Sequence, residues 1–216
     1  MRVALAEDGL MREPLVMLLE QAGAEVTCAT STPDELLIYL ARDQPDVVVT
    51  DLKMPPTKTD EGVQVAKWVK ANYPDTGVLV LSAYNETSQA AQLVDSDMQG
   101  VGYLLKDNVT DAKDLYRALT RVLAGEQVVD PDVVERLMGS RRRAEEIERL
   151  SAQERKVLGY MAEGYTDGEI AELLSISART ASDHVRSIFQ KLDIGSAPGN
   201  NKRVKAVLRW LRVDST

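Results

Sequence analysis

Five times within residues 1–125 a short apolar run gives way to a segment with helical spacing, and no other feature narrows the possible folds so sharply. The runs are Val3–Ala6, Glu25–Ala29, Val47–Thr50, Val78–Ser82 and Gly102–Leu105, and the helical segments are roughly 10–22, 33–43, 62–72, 87–96 and 111–124. A run such as Val47-Val48-Val49 has no polar face to offer water, so it must be covered on both sides. Strands of that kind alternating with helices imply a parallel sheet between two helical layers. The expectation is therefore a doubly wound, five-stranded parallel α/β sheet over residues 1–125. Ser31-Thr32-Pro33-Asp34 supplies one of the helix starts, a hydroxyl cap before proline.

Residues 126–147 change character. Val128-Val129-Asp130-Pro131 precedes a short helix-like piece, and Arg141-Arg142-Arg143 is followed after Ala144 by Glu145-Glu146. Acids so close to the arginines favour a solvated linker over a nucleic-acid arm. From residue 148 to 216 the pattern is wholly helical. Ser151-Ala152-Gln153-Glu154 and Thr166-Asp167-Gly168-Glu169 are capping boxes, Gly164 sits where a helix must end, and Ser177 caps a longer helix from about Ala178 to Leu192. A short helix, a tight turn and a longer helix make a helix-turn-helix, so an all-α helix-turn-helix domain is expected over 148–216.

Charge separates the two parts. Residues 1–125 hold 11 Lys/Arg against 19 Asp/Glu, while residues 174–216 hold 8 against 3. An acidic front and a basic tail suggest different partners. No apolar stretch approaches membrane-spanning length, and MRVALAED meets an acid pair where a leader would need a longer apolar core. With a single cysteine, Cys28, no internal disulfide framework is possible, and a reducing cytoplasm without membrane attachment is the expected setting. His184 is the one histidine, which excludes a His-rich zinc site or a Ser-His-Asp triad in the first half.

In an open parallel sheet ligands gather beyond the carboxyl ends of the strands, where strand order reverses. Glu7 and Asp8 follow the first strand and Asp51 follows the third; Ser82 ends the fourth, and Lys106 follows the fifth. Three converging carboxylates repel one another unless a cation joins them. Mg²⁺ suits that role, because it prefers oxygen ligands and often bridges a carboxylate to a phosphoryl group.

Glu7-Asp8, Asp51 with Met54-Pro55, Ser82-Ala83 and Gly102-Tyr103-Leu104-Leu105-Lys106-Asp107 together resemble the receiver domain of two-component response regulators, a flavodoxin-like fold. The resemblance implies that Asp51 is the phosphoacceptor and forms an acyl phosphate. It implies that Asp8, Asp51 and the backbone carbonyl of Lys53 bind Mg²⁺, with Glu7 holding a metal-bound water. Lys106 would contact the phosphoryl oxygens. Ser82 would swing toward them on activation, and Tyr103 would follow it inward. Two departures stand out: the loop over residues 54–62 is longer than the usual Met-Pro-x-x-x-Gly, and Lys53 and Tyr84 occupy positions that affect phosphoryl lifetime in the family.

Residues 150–192 resemble the LuxR-type helix-turn-helix of NarL/FixJ response regulators. The match rests on Leu150-Ser151, Glu154, Val157-Leu158, Gly164, Glu169-Ile170-Ala171, Ser177, Thr180, His184-Val185 and Lys191-Leu192. On the long helix Ala181, Val185, Ile188 and Leu192 form one apolar stripe, with Arg179, Ser182, Asp183, Arg186 and Gln190 opposite. The resemblance implies base reading by Ser182, Asp183 and Arg186, and phosphate contacts from Ser177, Arg179, Thr180 and Lys191. Many members carry a lysine where this chain has Ser182. Asp183 either accepts from a cytosine amino group or repels phosphate. His184, at the edge of the stripe, is read as a packing residue. A final helix, Lys202–Val213, presents Val204, Val207, Leu208 and Leu211 either as a dimer surface or as the closure of the domain's own core.

The expectation is a phosphorylation-regulated, non-enzymatic transcription factor partnered by a sensor histidine kinase and double-stranded DNA, forming a homodimer on activation. The alternative is a phosphorylation-independent regulator whose receiver is an interaction module. A nucleotide-binding enzyme is disfavoured, since Ala6-Glu7-Asp8-Gly9-Leu10-Met11 lacks the glycines that cradle phosphates.

Overall fold

The computed structural model describes residues 1–83, 87–94, 96, 98–195 and 201–214. Tyr84 and most of the loop after Leu192, residues 196–200, lie outside them. The chain forms two compact units, Met1–Glu135 and Arg136–Thr216. Among the described residues no helix is long and apolar enough to cross a membrane.

In the first unit the strands are β1 (Arg2–Ala6), β2 (Glu25–Thr30), β3 (Val47–Asp51), β4 (Gly77–Ser82), β5 (Val101–Leu105) and β6 (Val128–Val129). The helices between the first five strands are α1 (Arg12–Gln21), α2 (Pro33–Leu40), α3 (Glu61–Asn72) and α4 (Thr87–Val94), and α5 (Ala112–Leu123) follows β5. All strand pairs are parallel, in the order β2-β1-β3-β4-β5-β6. The order reverses between β1 and β3. Every residue of β3 and β4 is buried, as strands covered on both faces require. Val3, Leu5, Val47, Val49, Leu79 and Leu81 meet Leu15, Leu19, Leu115, Leu119 and Val122 from α1 and α5 on one face. The alternate residues Ala4, Val48 and Val80 are equally buried on the other. Thr32 caps α2 through the Glu35 N–H, with Pro33 in the first turn.

Two sequence expectations change. Among the described residues the sheet has six strands, not five: Val128 and Val129 pair with Gly102 and Tyr103. A two-residue strand is too short to leave a periodic signal. The short helix-like piece expected within 126–147 is longer than expected: Pro131–Glu148 forms one helix, α6, within which the boundary between the units falls. Asp130, 1% exposed, organises this start. Its carboxylate accepts from the Asp132 N–H (3.0 Å), the Leu105 N–H (3.2 Å) and the Asn108 side-chain amide (3.0 Å), joining the helix start to the turn that follows Lys106. Arg141 and Arg142 are exposed on α6.

The second unit holds the C-terminal part of α6 with α7 (Ala152–Ala162), α8 (Asp167–Leu173), α9 (Ala178–Lys191) and α10 (Lys202–Asp214). Both expected capping boxes form, and Ser177 caps α9. Ala181, Val185, Ile188 and Leu192 are buried as one stripe. The expected stripe on α10 divides instead. Val207 packs on the core beside buried Ala206 and Trp210, whereas Val204, Leu208 and Leu211 are exposed.

Candidate functional site

β1 and β3 are hydrogen-bonded neighbours whose carboxyl ends lie at the reversal of strand order. Glu7, Asp8 and Asp51 leave these ends together, each offering one carboxylate oxygen within 4.8 Å of the others. Glu7 and Asp51 are 3% and 7% exposed, and Asp8 is half-buried. Lys106, just beyond β5, reaches across β4 on its long stem. Its ammonium lies 2.6 Å from Glu7 Oε2 and 2.8 Å from Asp51 Oδ1. Burial pushes the carboxyls of Glu7 and Asp51 above their ordinary values, and the hydrogen bond from Lys106 opposes that rise. The donors are all hard oxygens in a confined space, and the buried acids hold excess negative charge. That set fits Mg²⁺ rather than a softer metal.

Lys53 is half-buried in the turn after β3. Ser82 and Tyr103 are both buried, on adjacent strands in which Val80 pairs with Tyr103 and Ser82 with Leu105. The Tyr103 ring, 1% exposed, lies inside the fold in this state.

The lengthened loop has an internal organiser that sequence reasoning did not single out. The buried Glu61 carboxylate accepts from the backbone N–H groups of Thr57 (3.0 Å), Thr59 (2.9 Å) and Met54 (3.4 Å), and from the Thr57 hydroxyl. Burial alone would raise this carboxyl, but the converging donors outweigh it and hold it at about 2. The Pro55–Pro56 bond within the loop is cis, and Lys58 adopts a left-handed φ of 56°. The Lys58 ammonium lies 2.8 Å from Asp8 Oδ2. Gly62 closes the loop against β3. A Cβ there would collide with the Asp51 carbonyl oxygen and lie 2.9 Å from Leu52 Cα. The spacing Thr57-x-Thr59-x-Glu61 was the only hint of this clamp in the sequence.

On the second unit Ser177, Arg179, Thr180, Ser182, Asp183, Arg186 and Lys191 are all exposed along α9. They do not form one uniform cationic surface. Asp183 lies 4.0 Å from Arg186, and Lys191 is engaged at 2.7 Å by the buried Glu154. Ser177 Oγ caps the helix by accepting the Thr180 N–H, and it lies 2.8 Å from Thr180 Oγ1, so the two hydroxyls are hydrogen-bonded to each other. His184 is half-buried, as a packing residue at the edge of the stripe would be.

The family model for the response regulator receiver domain matches residues 3–120, and that for bacterial regulatory proteins of the luxR family matches residues 148–199. The response regulator protein VraR of Staphylococcus aureus (strain Mu3 / ATCC 700698) is 29% identical over 178 residues, 82% of each chain. A structure of the Salmonella typhimurium RcsB response regulator aligns with a TM-score of 0.56 at 29% identity, covering 98% of this chain and 97% of that one. The two-component response regulator RcsB in complex with DNA aligns at 0.55 and 28% identity, covering 99% and 98%.

Proposed function

The chain belongs to the response regulators, a receiver domain followed by a LuxR-type DNA-binding domain, and we propose that Asp51 is its phosphoacceptor and that phosphorylation controls its attachment to DNA. The observation that carries this reading is the convergence of Glu7, Asp8, Asp51 and Lys106 at the reversal of strand order. A phosphoryl group arriving from the phosphohistidine of a sensor kinase meets the Asp51 carboxylate as nucleophile; an O–P bond forms there as the P–N bond of the donor breaks. Lys106 moves its charge from the carboxylates to the phosphoryl oxygens. Asp8, Asp51 and the Lys53 carbonyl would hold Mg²⁺, with Glu7 on a metal-bound water. The ion supplies charge neutralisation for the transferred group. Ser82 and Tyr103, buried on adjacent strands, are the residues proposed to register its arrival.

Residues 148–216 are the proposed DNA reader. Ser182, Asp183 and Arg186 face bases, while Ser177, Arg179, Thr180 and Lys191 hold phosphates. Lys191 keeps two N–H donors for that purpose while the third serves Glu154. The exposed Val204, Leu208 and Leu211 of α10 offer a face for a second copy. A homodimer would set two α9 helices about 34 Å apart, one turn of DNA. RcsB has itself been solved as two dimers bound to two parallel DNAs.

Incubation with a small-molecule phosphodonor and Mg²⁺, followed by intact-mass measurement, tests the proposal. One phosphoryl group is expected on the wild type and none on Asp51→Asn. Persistent labelling of the variant refutes the assignment of Asp51. Labelling that leaves the gel shift of genomic fragments unchanged refutes phosphorylation control and favours the interaction-module alternative.

A further inference from the structure

We infer that Lys58 occupies the cation position of Asp8 before Mg²⁺ enters, so that the lengthened loop sets how much Mg²⁺ the receiver needs. The inference rests on the reading of Glu7, Asp8 and Asp51 as a Mg²⁺ site, and it concerns what the chain itself places there.

Three features of the loop point the same way. Lys106 satisfies Glu7 and Asp51 but not Asp8, and the Lys58 ammonium at 2.8 Å is the cation that meets Asp8. The Glu61 clamp fixes the backbone on both sides of Lys58, at Thr57 and Thr59, so the ammonium is delivered by an ordered arm. Lys58 also holds a left-handed backbone conformation, which crowds the Cβ of a non-glycine residue against its own backbone. Such a conformation persists only where its surroundings impose it.

The consequence is an exchange. The ammonium and Mg²⁺ compete for the Asp8 carboxylate, and once bound the ion repels that ammonium. Lys58 is 63% exposed, so its head can swing into water while the clamped backbone stays in place. Metal binding is thereby weakened by the ion pair that must be broken and by the positive charge left nearby. Lys58 is a positioning residue here, not a group that touches the transferred phosphoryl.

Calorimetric titration of the full chain with MgCl₂ at fixed ionic strength tests the exchange. Lys58→Asn removes the charge, and asparagine tolerates the left-handed conformation. Lys58→Arg keeps the charge. Lys58→Asn is expected to bind Mg²⁺ about fivefold more tightly, the factor for no longer having to break one ion pair between unit charges roughly 4 Å apart in a high dielectric. Lys58→Arg is expected to match the wild type. Equal or weaker binding by Lys58→Asn overturns the exchange and leaves the Mg²⁺ site standing. Absence of Mg²⁺ binding in all three proteins overturns the site and the exchange with it. A melt of each protein without Mg²⁺ shows that the variants are folded.

Discussion

Replacing Glu154 by glutamine keeps the volume of the side chain and removes one charge from the joint between α7 and α9. The wild-type carboxylate is 4% exposed and accepts from the Ser151 N–H (2.6 Å), the Ser187 hydroxyl (2.6 Å) and the Lys191 ammonium (2.7 Å). Burial alone would raise its carboxyl, yet the bonds from Lys191, Ser187 and Ser151 lower it from 4.5 to about 2. A depression of that size corresponds to about 3 kcal/mol. Solvent screens part of it, because the Lys191 side chain is 38% exposed, so a loss of about 2–3 kcal/mol is expected. The folded value lies below the unfolded one. The stabilisation is therefore complete above pH 4.5 and is lost as pH falls towards about 2. Trp210 packs on the second core and Trp68 belongs to the first unit, so in a Trp68→Phe background urea unfolding followed by fluorescence reports the DNA-binding unit. Glu154→Gln should lose stability at neutral pH, and the gap from wild type should close through the acid window. A loss under about 0.5 kcal/mol, the range of an ordinary surface change, refutes the reasoning. So does a gap that stays constant down to the lowest pH.

Gly62→Ala should both destabilise the first unit by about 1–3 kcal/mol and slow phosphoryl acceptance, since its Cβ meets the backbone of Asp51 and Leu52; a variant with wild-type melting and labelling would show that α3 shifts freely. Asp130→Ala leaves the Leu105 N–H, the Asp132 N–H and the Asn108 amide without their buried acceptor, for about 2–3 kcal/mol by thermal unfolding. A change within 0.5 kcal/mol would mean that water replaces the carboxylate. Arg186→Ala should cost roughly 1–3 kcal/mol of DNA affinity at one base position, read by competition among point-substituted sites. An equal loss on every sequence would assign Arg186 to phosphate alone.

Much of the first unit was readable because its signals are local and repeated. The expected Val47–Thr50 and Val78–Ser82 differ from the observed strands by one residue at an end. The caps at Thr32, Ser151, Thr166 and Ser177 depend on side chains reaching only three residues forward. β6 escaped because two residues carry no period, and the full length of α6 because Gly139 and the arginine triplet resemble linker composition. Of the stripe expected on α10, Val207 packs on the core while Val204, Leu208 and Leu211 do not, since periodicity alone does not reveal that Ala206 and Trp210 are the residues admitted beside it.

At the acid site the division follows from distance along the chain. The alternation of strands and helices, by itself, determines that residues 7, 8 and 51 emerge at one edge of a parallel sheet, because the strand that carries each is specified by its own neighbours. Which cation meets which carboxylate is a different matter. Lys106 lies 99 residues from Glu7, and Lys58 lies 50 from Asp8; long, flexible side chains at such separations have no preferred partner until the backbone is closed. The pairing of Lys58 with Asp8 depends on the Glu61 clamp, and that of Lys191 with Glu154 depends on α9 packing against α7. Local propensity writes the elements, whereas the electrostatic pairs arise only once buried charges have to be neutralised in the space the fold leaves them.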